Sequence, residues 1–413
     1  MHNFAVLFLA FFAISIIVKF WLSQRHLSHI QKHRTQVPAA FSEKISLEDH
    51  QKAADYTTTK VKFGRLPLVY DAIILLAWTF GGGLELLDQF ARGYELSPIT
   101  TGILVILSMM VISSLLDLPF SLYSTFVIEE KFGFNRTTLK TFMMDMAKGA
   151  LLSVALGVPL IWVVLWLMEQ AGDLWWLYTW VVLTCFSLFI AWAYPTWIAP
   201  IFNKFSPLEE GETLNRITGL LNRCGFNSDG IFVIDGSKRS SHGNAYFSGF
   251  GKNKRIVFYD TLLESLSDDE LEAVLAHELG HFKRKHIVKG MAISFATTLV
   301  GLGILAWLMK AEWFYNALGV STPSTYMALL LFTIVMPVFT FLLSPIMSLF
   351  SRKNEFEADE YAAQQSEAKF LIQALVNLYK ENANTLTPDP LYSAFYDSHP
   401  PAPVRIAHLA EQP

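Results

Sequence analysis

Seven long apolar runs constrain this chain more than any other feature. They cover residues 4–22, 66–87, 99–120, 147–168, 174–194, 287–308 and 326–350. A helix rises about 1.5 Å per residue, so each run can cross a hydrocarbon layer about 30 Å thick. Only 16% of the 413 residues are charged and the mean hydropathy is +0.35, whereas soluble domains carry about a quarter charged residues. The chain is therefore expected to be a mainly α membrane protein with seven spans, and the lipid bilayer is its first partner. The net charge of −4 offers no footprint for nucleic acid.

Charge between the runs sets the orientation. No basic residue precedes the first run, while Arg25, Lys32 and Arg34 follow it. That pattern fits a retained helix with its N-terminus outside, not a cleaved signal peptide. The other loops agree: the outside segments hold little beyond Arg92 and Lys310. The C-terminus and the polar stretch before the sixth run then face the cytoplasm. Gly81, Gly82 and Gly83 interrupt the second run, and Glu85 lies either at depth against protein or at the interface. Asp117 sits near the end of the third run, and Pro337 and Pro345 are expected to bend the seventh.

Two parts follow. Residues 1–194 form a membrane region with five spans, and residues 195–413 form a catalytic region that includes spans six and seven. Residues 46–62 pattern as a connector helix, and 212–224 as a helix stopped by Gly225. Residues 230–234, 244–250 and 255–259 pattern as strands, the last two as a hairpin over Gly251-Lys252-Asn253.

Residues 267–286 carry the chemistry. Ser267 and Glu270 make a capping box, with Asp268 and Asp269 at the positive end of the helix dipole. Leu271, Val274, Leu275 and Phe282 recur at helical spacing, and the helix is expected to run on into the sixth span. His277-Glu278-Leu279-Gly280-His281 then places two imidazoles one turn apart on one face, able to grip one Zn²⁺, with Glu278 beside them to act on water. The two cysteines, Cys185 and Cys224, supply no thiolate site, so a third ligand must be His or carboxylate. Span seven returns the chain to the face that holds His281, which makes Glu355 the candidate. Asp359, one turn on, is placed to orient a ligating histidine, while Glu357 and Glu360 are expected only to solvate the helix.

One zinc per chain implies a metalloendopeptidase, with Glu278 as base and a peptide or protein as substrate. His399, in a proline-rich turn, is the candidate second partner for the developing oxyanion. Arg405 either binds substrate or braces the site. Asn244, Ala245 and Tyr246 lie on a strand that, at a sheet edge, would hold a substrate in extended form; an ordinary hairpin packed on the metal helix is the alternative.

These residues resemble the type I CAAX prenyl proteases, which are integral-membrane zinc metallopeptidases. The likeness lies in the HELGH stretch, Glu355-Phe356-Glu357-Ala358-Asp359, Asn244-Ala245-Tyr246-Phe247 and His399-Pro400-Pro401, in that order. Weaker echoes occur at Tyr56-Thr57 with Lys60, at Glu130-Lys131-Phe132-Gly133-Phe134-Asn135 and at Ile198-Ala199-Pro200-Ile201-Phe202-Asn203. The resemblance implies a barrel of seven spans around a water-filled chamber, with a zincin-like catalytic domain of gluzincin type on the cytoplasmic side. By motif position it makes His277, His281 and Glu355 the zinc ligands and Glu278 the base. Asp359 matches an active-site aspartate, and Asn244, His399 and Arg405 match positions along the substrate groove. Glu85 and Asp117 would then line the chamber. The outer connection at 309–325 is short and no carboxy-terminal retrieval signal is evident, so a bacterial inner-membrane relative is expected.

Substrates are then prenylated or membrane-embedded proteins. The alternatives are a general membrane quality-control protease without prenyl preference and, in another class, a chaperone or scaffold whose zinc site is structural.

Overall fold

The computed structural model describes residues 2–248 and 254–412. The expected hairpin turn, and the end of its first strand at 249–250, lie outside them. Helix α1 (Asn3–His33) ends with Lys32 and His33 in its last turn, where cations suit the negative end of the dipole. Helix α2 (Leu47–Trp78), capped by Ser46, joins the connector helix and most of the second span into one element. Pro67 does not break it. The break comes at the glycines instead: Gly82 adopts φ +75°, which only glycine tolerates freely, and α3 (Gly83–Arg92) leaves at 50°.

Helix α4 (Pro98–Tyr123) starts on a Ser97 cap and runs on through a π-helical turn, Ser124–Glu129. Helices α5 (Leu139–Gln170) and α6 (Trp175–Ala193) complete the amino-terminal half. Six helical stretches are long and apolar enough to cross a membrane, or seven if α2 and α3 count as one span, among the described residues. Their packed interior is apolar and aromatic, built on Phe8, Leu165, Leu305, Phe314, Tyr315 and Leu331. Glu85 is half-buried on α3 and accepts from the Ser321 backbone N–H at 2.8 Å, pinning α3 to a neighbouring loop. Neither Glu85 nor Asp117 lines the cavity described below.

The second half begins with β1 (Phe205–Pro207) and α7 (Glu212–Cys224). Then come β2 (Ile231–Ile234), β3 (Ala245–Ser248) and β4 (Arg255–Tyr259), giving a four-stranded sheet in the order β1-β2-β4-β3. β2 runs parallel to β4, whereas β3 pairs antiparallel with it, Ala245 opposite Phe258. β3 is therefore an edge strand. β1 escapes sequence reading because three residues ending in Pro207 carry no alternation.

Helix α8 (Asp268–Lys283) has the expected capping box. It does not continue into the membrane: Lys285 adopts φ +58° and α9 (His286–Leu308) starts afresh. The helices α10 (Thr325–Thr340) and α11 (Ser344–Gln365) join through a tight turn at Phe341–Leu343, between Pro337 and Pro345. They are followed by α12 (Ala368–Glu381), α13 (Pro390–Tyr396) and α14 (Ala402–Ala410). A core of Leu220, Ile256, Phe258, Leu275, Leu279, Leu371 and Leu409 fastens the sheet to α7, α8, α12 and α14. Water exclusion drives that packing.

Candidate active site

Helices α8 and α11 cross at Gly280. A Cβ there would stand 2.9 Å from the Ala358 Cα and 3.0 Å from its carbonyl oxygen, closer than atoms can pack. The missing side chain lets the two backbones approach, which brings the face bearing His277 and His281 onto Glu355. The two Nε2 atoms lie 3.2 Å apart. Glu355 Oε2 is 3.5 Å from His277 Nε2, and Oε1 is 3.3 Å from His281 Nε2. All three ligand atoms fall within 4.8 Å of one another.

This donor set fits a metal ion. Tetrahedral ligands with bonds of about 2.0–2.1 Å have edges of about 3.3–3.4 Å, close to the distance between the two rings and to the distance from each ring to its nearer Glu355 oxygen. Glu355 is buried and its Oε2 has no hydrogen-bond partner among the described residues, which is costly unless a cation completes it.

The outer ring nitrogens are held as metal-binding imidazoles require. His277 Nδ1 is 2.8 Å from Asp359 Oδ1, and Asp359 is fully buried. His281 Nδ1 is 3.1 Å from His286 Nδ1, whose Nε2 is 3.1 Å from Glu357 Oε2. One assignment satisfies the chain of contacts: His281 donates through Nδ1 to His286, and His286 donates through Nε2 to Glu357. Both facing Nε2 atoms then keep free lone pairs. Glu357 thus does more than solvate its helix, and His286 was not singled out from sequence. The only available signal was its position five residues after His281. Glu360 lies 3.6 Å from His408.

Arg405 was expected either to bind substrate or to brace the site. Its guanidinium is buried and donates to both oxygens of Asp359, at 2.9 and 2.6 Å, with Nη1 3.7 Å from Glu355. Burial alone would lower its pKa, but the Asp359 bonds raise it overall, so the charge is permanent. Those bonds use Nε and Nη2 to brace Asp359, and Arg405 also lines the cavity beside the ligand cluster.

His399 exposes 64% of its side chain, into a cavity of about 1080 Å³ beside the ligand cluster. Its Nε2 is 3.4 Å from Glu355 Oε1, and Ser398 Oγ is 2.9 Å from its Nδ1. The surrounding protein lowers its pKa, against the opposing pull of Glu355, and keeps the ring neutral near pH 7. Glu278, Asn244 and Ala245 line the same cavity. Tyr246 does not. Alternation along β3 sends its ring to the other face of the sheet, edge-on to Tyr259 at 6.4 Å.

The start of β3 is tied to the membrane helices. Lys60 donates to the Tyr56 hydroxyl at 3.1 Å, which lies 2.7 Å from Glu129 Oε1. Glu129 is 3.6 Å from His242, two residues before Asn244, and Asn382 accepts from Gly243 N–H at 3.2 Å.

Comparison with known proteins shows the family. Residues 26–204 match a family described as CAAX prenyl protease N-terminal, five membrane helices, and residues 207–412 match peptidase family M48. The CAAX prenyl protease 1 homolog of Oryza sativa is 36% identical over 395 residues, covering 92% of this chain and 93% of the relative. CAAX prenyl protease 1 of Saccharomyces cerevisiae is 36% identical over 402 residues, covering 91% and 88%. The crystal structure of S. mikatae Ste24p superposes with a TM-score of 0.93 at 32% identity, over 99% of both chains. The chain belongs to peptidase family M48, as a multi-pass membrane metallopeptidase of the CAAX prenyl protease 1 group.

Proposed function

We propose that this protein is a zinc endopeptidase that trims the carboxy-termini of prenylated CAAX-type proteins. In this reading His277, His281 and Glu355 hold one Zn²⁺. The observation that carries it is the convergence of those three ligand atoms around the unpartnered Glu355 oxygen, beside Glu278 and the edge strand. When bound, the metal supplies Lewis acidity toward water and the scissile carbonyl.

The protein's own groups do the rest. A substrate adds to the free edge of β3 through main-chain hydrogen bonds, with Asn244 contributing a side-chain contact. Glu278 takes the proton of the attacking water and passes it to the leaving nitrogen. His399, neutral and accepting at Nδ1 from Ser398, presents its Nε2–H to the developing oxyanion. Asp359 holds the His277 ring in one tautomer, and Arg405 keeps Asp359 ionised. Asp359 therefore serves as a positioning group in place of a proton donor.

The remaining elements follow the same reading. The bent α2–α3 pair counts as one span, so seven spans enclose a chamber, with the N-terminus outside and the site cytoplasmic. Residues 1–194 form the membrane region and 195–413 the catalytic one, a division supported by two family matches that meet between residues 204 and 207. A bacterial inner membrane is the expected setting, on the shortness of the connection at 309–325, although the relatives named above are eukaryotic.

The test is cleavage of a farnesylated CAAX peptide by purified protein, with bound zinc quantified. Glu278→Gln is expected to lower kcat by about a thousandfold while retaining one zinc. A mutant that still cleaves would remove Glu278 from the mechanism. Equal cleavage of farnesylated and unfarnesylated peptides would favour a quality-control protease instead.

A further inference from the structure

We propose that Arg65 and Lys19 form the subsite for the free α-carboxylate at the end of the substrate. This rests on the substrate reading above and adds where the short, cut end of the peptide is held.

The cavity lies to one side of the edge strand. It is lined by Gly243, Asn244 and Ala245 at the start of β3, but not by Tyr246 or Phe247 further along. Glu278 lines the same cavity, as do Lys19 on α1 and Arg65 on α2. Among the described residues, a peptide paired along β3 therefore enters this space at the Asn244 end of the strand. Of its two ends, the short one suits a bounded space, because the other is attached to a whole protein. A CAAX-type substrate leaves three residues beyond the cut, about 10 Å in extended form, and they end in a full negative charge.

The cations that line the cavity are not all equivalent. Arg405 is committed to Asp359, and Lys60 to Tyr56 and Glu129. Arg65 makes only neutral contacts, from Nε to Ser23 Oγ at 2.6 Å and from Nη2 to Gln24 Oε1 at 3.0 Å. Lys19 rests over the Phe341 ring at 4.7 Å. Neither Arg65 nor Lys19 has an ion-pair partner among the described residues. Asp71 and Asp397 line the same cavity, so it is not uniformly positive. What distinguishes Arg65 is an oriented guanidinium, fixed by two neutral acceptors with Nη1 left over. That is the arrangement that receives a carboxylate. An anionic lipid headgroup offers the same chemistry, and the test separates the two.

The experiment compares a farnesylated CAAX peptide ending in a free acid with the same peptide ending in a carboxamide. Wild type, Arg65→Gln and Lys19→Gln are assayed as full-length protein with metal content measured. Wild type is expected to favour the acid by about tenfold in kcat/KM, mostly through KM. Arg65→Gln should bring the two peptides close to parity, with the loss falling on the acid and not on the amide; Lys19→Gln should do so in part. Equal use of acid and amide by wild type overturns the proposal, whatever the variants do. So does an Arg65→Gln loss that is the same for both peptides, as expected if the cations serve a lipid headgroup. If wild type holds metal and cuts neither peptide, the substrate reading itself fails first.

Discussion

Two helix crossings, both made through a glycine, differ in what they support. In the catalytic half, α8 meets α11 at Gly280, where an added Cβ would strike the backbone of Ala358. In the membrane half, α4 meets α10 at Gly102, where a Cβ would fall 2.7 Å from the Tyr326 Cβ and 2.8 Å from its ring. The first crossing sits under a buried charge network of His277, Glu355, Asp359 and Arg405. The second has one buried carboxylate, Asp88, which accepts from the Tyr326 hydroxyl at 2.6 Å and from Arg92 at 2.8 Å. Close approach sets ligand geometry in one place and shape complementarity in the other. Lipid offers little hydrophobic drive between helices, so fit between side chains has to hold the membrane half together. The catalytic half adds charges that tolerate almost no displacement.

Gly280→Val breaks the comparison most severely. Its side chain forces α8 away from α11, and a shift of about 1 Å at the ligands costs about a hundredfold in kcat/KM. Metal content after dialysis against a weak chelator should fall with it. Unchanged zinc and turnover would mean that the crossing can widen without moving the site, and the contrast with Gly102 would collapse.

Asp359→Asn acts on the same crossing without changing its shape. The amide oxygen still accepts from His277, but the negative charge that pairs with Arg405 is gone. Loss of such an outer partner lowers metal affinity by about 10–100-fold. The buried Arg405 charge is left poorly compensated, so a competitive zinc titration and a melting curve should both register the change. A lower Tm with unaltered zinc affinity would reduce Asp359 to a purely structural anchor.

The sequence made part of this legible and hid the rest for identifiable reasons. The spacing of His277 and His281, the capping box and the return of the chain at Glu355 depend on helical periodicity and topology, which local patterns carry. The apolar runs likewise mark where helices cross, though not where they end: α2 fuses a polar connector with a span, because nothing between Leu47 and Trp78 forces a stop. The break at Lys285 was invisible, since a non-glycine residue at positive φ leaves no compositional trace. The residue that follows it, His286, meets His281 and Glu357, the latter 71 residues further along the chain. The commitment of Arg405 to Asp359 is also long-range. Sequence position could place Arg405 near the groove but could not say whether its fork was free.

Gly102→Ala is the smallest of these perturbations and the sharpest control. One methyl group meets the Tyr326 Cβ and the root of its ring, which rotation of the side chain cannot move, so α4 and α10 must separate by a few tenths of an ångström. That separation has a cost of its own, because it carries the Tyr326 hydroxyl away from Asp88, which is 1% exposed. Overpacking of this kind costs about 1–3 kcal/mol, and a strained hydrogen bond to a buried carboxylate falls within the same range. The expected outcome is a Tm lowered by a few degrees, with zinc affinity and kcat/KM at 25 °C within about twofold of wild type. Should Gly102→Ala instead strip zinc as Gly280→Val does, the membrane crossing would be mechanically coupled to the ligand cluster. The path is already visible in the packing: α10 leads through the turn at Phe341–Leu343 straight into α11, which carries Glu355. The two crossings would then be one device, with Tyr326 at one end of a continuous lever and Glu355 at the other.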